Sequence, residues 1–371
     1  TILMINGDIM NIDNKLIEFY NKKIRQVFVY ITSRCQLHCR QCLYKPLLRS
    51  ESTDIDFKIL QELLTVFESL GAYKVSFLGG EPTLYQDSKN NKTFTDVLQL
   101  CKKIGYKYVR FDTNGQFSAD FLEQENLTYT DEITFSLDGF NRETNDIVRG
   151  KGSFDRCLSN IINAVHHGYK VQITMCVHNN VCPSVEVGIN NIEKMIFFAT
   201  SLGVSAINFH PILKVGIARD NWIDNTNISP DIWMTIYRII QERNANNSYS
   251  ISVRLPMRFV EKSIYKQNID KFSYCPLQLA ERALIMPDGT IKVCAFTIGT
   301  PYCIANYDDE KLALYTGEYS EYSMCKNHNS TKSCESNCFF QKVDSNSFVP
   351  LCMSFKPHQK EIVWNELISE V

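Results

Sequence analysis

Three cysteines near the start of the chain have the spacing of an iron–sulfur site. Cys35, Cys39 and Cys42 form a CxxxCxxC array, called here the cysteine triplet, which directly follows the apolar run 27–31. Three thiolates this close together can bind three irons of a [4Fe–4S] cube and leave the fourth iron without a protein ligand. An open position favours a site that binds something else, because structural sites are normally closed by four protein ligands. For the triplet alone, the alternative is three buried or zinc-bound cysteines.

Small and polar residues follow three later apolar runs. They are Gly79, Gly80 and Glu81 in LGGEP, Thr113 and Asn114 in DTNG, and Ser136 in SLDG. Glycine lets the backbone approach a ligand closely, a carboxylate accepts hydrogen bonds from an ammonium group, and hydroxyl or amide groups can bond ribose. Taken singly, these motifs are equally compatible with tight turns and helix caps. Arg149, in RGKGSF, adds a guanidinium that can bind a carboxylate through two hydrogen bonds.

A second group of cysteines lies towards the other end of the chain, where seven of the 14 cysteines follow residue 274. Cys275 is followed by a segment that predicts a β-hairpin turning at Asp288-Gly289, which would bring Cys294 back beside Cys275. The remaining cysteines, with one histidine among them, are Cys303, Cys325, His328, Cys334, Cys338 and Cys352. Spacing alone would also permit a zinc ion bound by Cys325, His328, Cys334 and a fourth ligand.

Composition narrows the class of protein. At 371 residues the chain has room for two to three domains. A net charge of -2 gives no reason to expect nucleic acid or an anionic membrane as a partner. No run of apolar residues is long enough for a signal peptide or a membrane span, so we expect a cytoplasmic protein. In such a chain 14 cysteines indicate metal or redox chemistry rather than disulfides.

The pattern of the elements that must position these residues indicates an α/β fold. Six strand-like runs alternate with segments of helical periodicity and therefore predict a parallel sheet of right-handed βαβ units, a partial (β/α)6 TIM barrel. The runs are 27–31, 74–78, 108–112, 132–137, 170–177 and 206–210. Each motif then lies after the carboxyl end of a strand, where such folds place their chemistry. We expect a lead-in over 1–25, the barrel over 26–230, a connecting helix and strand over 231–270, and a small Cys-rich domain over 271–371.

The triplet and the motifs after it resemble the radical S-adenosylmethionine (radical SAM) enzymes. The resemblance implies that the cysteine triplet holds a catalytic [4Fe–4S] cluster, whose open iron binds S-adenosylmethionine and cleaves it to a 5′-deoxyadenosyl radical. It also implies that Gly79, Gly80 and Glu81 bind the methionyl amino group, that Ser136 contacts the ribose or methionyl group, and that Arg149 binds the methionyl carboxylate. Thr113 and Asn114 are expected at the ribose. Gln41 stands where the family usually has an aromatic residue.

The later cysteines are similar to the SPASM extension of the same family, with His328 at the position of a cysteine. This resemblance implies two auxiliary iron–sulfur clusters, which we expect to be [4Fe–4S] clusters. The first would be bound by Cys275, Cys294 and Cys338, with either Cys303 as fourth ligand or an open iron. The second would be bound by Cys325, His328, Cys334 and Cys352. Imidazole can replace a thiolate on such a cluster and raises its potential.

The SPASM branch implies a function in the maturation of ribosomal peptides. The enzyme would abstract a hydrogen from a peptide residue and form a crosslink or another oxidised product. Expected partners are a peptide or protein substrate, a reductant such as flavodoxin or ferredoxin, and a separate leader-recognition protein, because only about 25 residues precede the first strand. The alternatives are an anaerobic sulfatase-maturing enzyme that makes formylglycine and a non-enzymatic module that binds zinc or an iron–sulfur cluster.

Overall fold

The computed structural model describes residues 2–5, 8–44, 53–212, 228–246, 248–267, 276–308, 311–323 and 347–350. The strands are β1 (Ile2–Ile5), β2 (Asp8–Ile12), β3 (Gln26–Thr32), β4 (Lys74–Gly79), β5 (Gln86–Asp87), β6 (Lys92–Thr93), β7 (Tyr108–Thr113), β8 (Glu132–Ser136), β9 (Val171–Val177), β10 (Ala206–Pro211), β11 (Ser252–Arg254), β12 (Phe259–Glu261), β13 (Arg282–Ile285), β14 (Ile291–Lys292), β15 (Ala305–Asp308), β16 (Lys311–Leu314) and β17 (Phe348–Pro350). The α-helices are α1 (Asn14–Tyr20), α2 (Phe57–Ser69), α3 (Phe94–Ile104), α4 (Arg142–Arg149), α5 (Ser153–His166), α6 (Val185–Ser201), α7 (Pro230–Ala245), α8 (Lys262–Gln267) and α9 (Pro276–Leu279).

The predicted parallel sheet is confirmed. Strands β3, β4, β7, β8, β9 and β10 match the six predicted runs to within one residue at each end, and they pair in parallel in chain order. Strand β11 adds a further parallel strand beside β10. In the described parts of the connections, α-helices lie between successive strands except between β7 and β8, where residues 119–129 form two short 3-10 helices. This is the α/β sheet of a partial barrel.

The helices bury one apolar face each, as the periodicity predicts. In α2 the side chains of Leu60, Leu63, Leu64 and Phe67 are fully buried and lie in the same core as the apolar residues of β3 and β4. Asp56 caps the helix, with its carboxylate accepting from the first free backbone N–H groups. Burial of each such side chain contributes about 1.5–3 kcal/mol to folding, so the core fixes the strands whose ends carry the motifs.

Among the described residues, segments from the start and the later part of the chain extend this sheet to thirteen strands. Strand β13 pairs in parallel with β3, and the predicted hairpin is present, since β13 and β14 pair antiparallel around a turn in which Gly289 has a φ of 81°. Strands β15 and β16 follow, and β16 pairs with β2. The segment 1–25 is therefore more than the polar lead-in that we expected, because it contributes β1, β2 and α1 to the folded structure.

Candidate functional site

The cysteine triplet lies directly after β3, and all three thiols are half-buried. Burial is the main reason that the pKa of Cys35 is raised to about 12, and the nearby Glu81, Cys39 and Cys42 contribute to this rise. A bound cation reverses this effect, because coordination deprotonates a thiol. In the part of the chain that the structure describes, no three His, Cys, Asp or Glu side chains are placed to hold one metal ion.

The glycine turn after β4 is pressed against the start of the cysteine loop. Gly80 N–H donates to Thr32 O at 2.8 Å, and Glu81 N–H donates to Arg34 O at 2.7 Å. A Cβ at Gly79 would lie 2.5 Å from Thr32 O, and a Cβ at Gly80 would lie 2.0 Å from Arg34 O. Both positions therefore require glycine because of the neighbouring backbone. The glycines let two loops meet, which agrees with the tight turn that the sequence offered as an alternative to a ligand contact.

Glu81 is fully buried and joins the ends of two strands. Its carboxylate accepts from Thr113 Oγ1 at 2.8 Å, from Asn114 N at 2.7 Å, and from both the N–H (3.2 Å) and the hydroxyl (2.8 Å) of Thr83. Burial raises the pKa of Glu81, and these hydrogen bonds oppose that rise. The carboxylate thus fastens the turn after β7 to the turn after β4. Its role at a methionyl amino group stays a prediction.

Asn114 connects this pair of turns to the cysteine loop. Its amide nitrogen lies 3.6 Å from Cys35 Sγ and 3.3 Å from Gln36 Oε1. Ser136 ends β8, and its carbonyl accepts from the buried thiol of Cys157. Sequence motifs from the first three parallel strands therefore meet at one edge of the sheet, as predicted.

Arg149 is buried and paired with a carboxylate of this chain. Its Nε lies 2.7 Å from Asp138 Oδ2, and the two side chains are 10% and 0% exposed. Burial opposes the charged form of the guanidinium, but Asp138 and the nearby thiols of Cys39 and Cys176 outweigh it and raise the pKa of Arg149. The carbonyl oxygen of Arg149 also faces Cys39 Sγ at 3.9 Å. The predicted partner of a methionyl carboxylate thus lies beside the triplet, already paired with Asp138.

Asp138 is the residue of the site that the sequence reasoning missed. Its carboxylate accepts from the side-chain nitrogen of Gln41 and from Cys176 N at 2.6 Å, and its own N–H donates to Asn145 Oδ1 at 2.9 Å. Asp138 belongs to the SLDG motif, and its position directly after β8 is the sequence signal that could have identified it as a site residue. Cys176 is half-buried and faces this group.

Two of the later cysteines lie in the described part of the chain. Cys294 and Cys303 are both 5% exposed, and the ammonium group of Lys292 lies close enough to interact with both. Lys292 Nζ donates to the carbonyl oxygens of Thr300 and Tyr302. The other predicted cluster ligands, Cys275, Cys325, His328, Cys334, Cys338 and Cys352, lie outside the described residues.

The buried carboxylate of Glu321 stabilises the turn at Cys294. It accepts from Val293 N at 2.7 Å and from Thr297 Oγ1 at 2.6 Å. Burial raises the pKa of Glu321 to about 7, although these donors and Lys292 oppose the rise. The segment around Cys294 is therefore held in place by interactions within residues 292–321.

A protein-family model, the Radical SAM superfamily, matches residues 29–184, which contain every motif of the site described above. The match covers less than half of the chain, and S-adenosylmethionine and an iron–sulfur cluster are the cofactors that a domain of this kind implies. No helix of the described residues has the length and apolar character that crossing a membrane requires.

Relatives and solved structures differ in what they act on. The probable GTP 3′,8-cyclase of Saccharolobus islandicus is 25% identical over 210 residues, which are 55% of this chain and 62% of that protein. The match thus spans less than two thirds of that relative. The fold is similar to SuiB of Streptococcus suis bound to its precursor peptide SuiA, with a TM-score of 0.65, 17% identity, and coverage of 88% of this chain and 74% of SuiB. It is also similar to anSMEcpe with bound AdoMet, with a TM-score of 0.57, 17% identity, and coverage of 87% and 92%.

Proposed function

We propose that this chain, through its radical SAM domain, abstracts a hydrogen atom from a peptide and converts the peptide to a crosslinked or otherwise oxidised product. One observation carries the proposal: the half-buried cysteine triplet lies against the turns that contain Glu81 and Asn114 and against the Arg149–Asp138 pair. Cys35, Cys39 and Cys42 would hold the cluster. Bound there with S-adenosylmethionine, it supplies a 5′-deoxyadenosyl radical.

The surrounding residues would position the cofactor and exclude water. Glu81 fixes the turn of Thr113 and Asn114 through hydrogen bonds within the chain, so that polar groups reach the cofactor from a rigid strand end. Arg149 lies beside Cys39 and would place a positive charge next to the methionyl carboxylate. Its pairing with Asp138 orients the guanidinium without leaving a buried charge uncompensated.

Two observations support a peptide as the substrate. The folds of SuiB with its precursor peptide and of anSMEcpe resemble this one over most of the chain. The later cysteines also follow the SPASM pattern, and two of them, Cys294 and Cys303, lie buried beside one ammonium group. Auxiliary clusters there would accept the electron left on the substrate, and the sulfatase-maturing alternative belongs to the same class of peptide chemistry.

A second candidate substrate is a purine nucleotide. It is favoured by the probable GTP 3′,8-cyclase of Saccharolobus islandicus, which this chain matches at 25% identity over 55% of its length. The peptide and the nucleotide would be acted on by the same radical-forming site, and the two proposals differ only in the substrate that faces it. They can therefore be separated without changing the cysteine triplet.

The test is anaerobic reconstitution followed by iron and sulfide counts and by measurement of 5′-deoxyadenosine. More than one cluster per chain, with 5′-deoxyadenosine formed in step with a mass change in a peptide encoded beside this gene, is the expected result. Product formation from GTP but not from the peptide would favour the nucleotide substrate. No 5′-deoxyadenosine under any condition would exclude radical chemistry altogether, and zinc in place of iron would favour the non-enzymatic module.

A further inference from the structure

The turn that follows Arg149 contains two glycines and is held by one residue of α4. Gly150 and Gly152 have φ angles of 109° and 84°, a region of backbone conformation that favours glycine. The carboxylate of Asp146 accepts from Gly152 N at 2.6 Å, and the backbone carbonyl of Asp146 accepts from Gly150 N at 2.9 Å. Both glycines after Arg149 are therefore bound to the same residue.

Asp146 also caps the next helix. Helix α5 begins at Ser153, directly after a glycine, which has no side chain to cap it. Asp146 Oδ1 accepts from Phe154 N at 2.9 Å and from Ser153 Oγ at 3.0 Å. Partial burial opposes the charged form of this carboxyl, but its hydrogen-bond donors outweigh that effect and lower the pKa of Asp146. An ionised carboxylate thus ties the end of α4 to the start of α5.

Asn145 extends this network to the ion-pair partner of Arg149. The side-chain nitrogen of Asn145 donates to Asp146 Oδ1 at 3.0 Å, and its amide oxygen accepts from Asp138 N at 2.9 Å. Asn145 is 1% exposed, so these hydrogen bonds are shielded from water. Asp138 is the carboxylate that pairs with Arg149. The guanidinium and its partner are therefore held by two neighbouring residues of α4.

The same turn lies against the cysteine loop. Arg40 N donates to Val148 O at 2.9 Å, and Arg149 O lies 3.9 Å from Cys39 Sγ. A displacement of the turn would therefore move the Arg149 guanidinium relative to the cysteine triplet.

We propose that Asp146 is a positioning residue, which fixes Arg149 for the methionyl carboxylate of S-adenosylmethionine and sets the affinity for that carboxylate without contacting it. The inference rests on the proposed function, in which Arg149 lies next to the carboxylate. A guanidinium binds a carboxylate through the geometry of its N–H groups as well as through charge. A small displacement of the guanidinium therefore weakens the contact.

The test compares S-adenosylmethionine with decarboxylated S-adenosylmethionine, which lacks only the methionyl carboxylate. In Asp146→Asn the amide oxygen can still face Phe154 N and Ser153 Oγ, but the amide nitrogen then faces Gly152 N, so the cap is kept and the turn is released. Equilibrium dialysis of the reconstituted protein measures the affinity for both compounds. Asp146→Asn should reduce the wild-type preference for S-adenosylmethionine about tenfold, which corresponds to about 1.4 kcal/mol. Binding of the decarboxylated compound should not change, whereas a general structural defect would weaken both.

Two further variants show whether the effect passes through Arg149. Arg149→Gln should also reduce the preference, and adding Asp146→Asn to it should have no further effect, because the two residues act through one contact. Asp155→Asn is the matched control, since it alters an exposed carboxylate that pairs with Arg142 at 2.8 Å in the same pair of helices. It should keep the wild-type preference.

Iron content separates positioning of Arg149 from a role in folding alone. Where Asp146→Asn loses iron, Asp146→Ser, which keeps one acceptor oxygen, replaces it in the comparison. An unchanged preference in an Asp146 variant that retains iron, equal weakening of both compounds, or loss of iron from both Asp146 variants would each overturn the inference. An unchanged preference in Arg149→Gln, or no binding of S-adenosylmethionine by wild-type protein, would instead refute the proposed site, and the inference would fall with it.

Discussion

Replacing Glu81 by Gln tests whether one carboxylate joins the two turns of the site. An amide presents one acceptor oxygen and one donor nitrogen, while Glu81 accepts from two backbone N–H groups on different oxygens, that of Thr83 on Oε1 and that of Asn114 on Oε2. The amide can face only one of them with its oxygen. The other N–H is left unpaired in a buried position, which costs about 1–3 kcal/mol.

We therefore expect Glu81→Gln to lower the free energy of unfolding by about 2 kcal/mol. Since the turn of Asn114 would shift relative to Cys35, S-adenosylmethionine should also bind about ten- to hundredfold more weakly. Urea unfolding of the protein before cluster reconstitution gives the first quantity, and equilibrium dialysis of the reconstituted protein gives the second.

A matched control is Glu143→Gln, which changes the same groups at an exposed position of α4. It should leave both quantities within error of wild type. If Glu81→Gln behaved like Glu143→Gln in both measurements, the carboxylate would not be the link between the turns, and its place in the proposed site would have to be abandoned.

Four further outcomes follow from the same structure. Alanine at all three positions of the cysteine triplet should abolish 5′-deoxyadenosine formation while later iron stays bound, and continued formation would refute the site. Gly80→Ala should reduce cluster content because its Cβ would meet Arg34 O, whereas Gly168→Ala, at a strained φ of 79° with open space around it, should not; equal iron in both would contradict the argument. Burial, with nearby arginines, lowers the pKa of His210 to about 4. As the pH falls, the unfolded chain binds a proton at His210 at a higher pH than the folded chain does. The free energy of unfolding should therefore fall by about 1 kcal/mol per pH unit between about pH 6.5 and about pH 4. His210→Gln should weaken that dependence in urea titrations. His328→Ala should lose or alter one cluster and His328→Cys should lower its potential, and full iron with unchanged spectra in the Ala variant would assign the ligand elsewhere.

The strands and the position of the site could be predicted from local sequence. Runs such as 74–78 and 108–112 are rich in apolar residues, end in glycine or small polar residues, and are followed by segments of different periodicity. Their hydrophobic pattern alone determines which elements form. The hairpin at Asp288-Gly289 was predictable for the same reason, since its turn chemistry is local.

The connections between the motifs could not be predicted in this way. Arg149 pairs with Asp138, and Asp138 in turn accepts a hydrogen bond from Gln41, although these residues lie at the end of α4, in the turn after β8 and in the cysteine loop. Only the packing of the sheet brings these residues together, and their spacing in the sequence does not predict the contacts between them. Strand β2 pairs with β16, which is equally distant in the sequence. The local sequence of residues 1–25 does not indicate this pairing, and we therefore expected only a lead-in there.

The pairing of β3 with β13 has a consequence for synthesis of the chain. Strand β3, whose end carries the cysteine triplet, pairs with β4 on one side and with β13 on the other, so that Gln26 lies opposite Arg282. Until the ribosome has released residues 282–285, one edge of β3 presents unpaired N–H and C=O groups, which can pair with other chains. Fragments that end before β13 should therefore aggregate when expressed, even though they contain the whole radical SAM match. Because such distant pairings also form slowly, a cluster inserted soon after release of the full chain would meet a sheet in which β13 has not yet paired with β3.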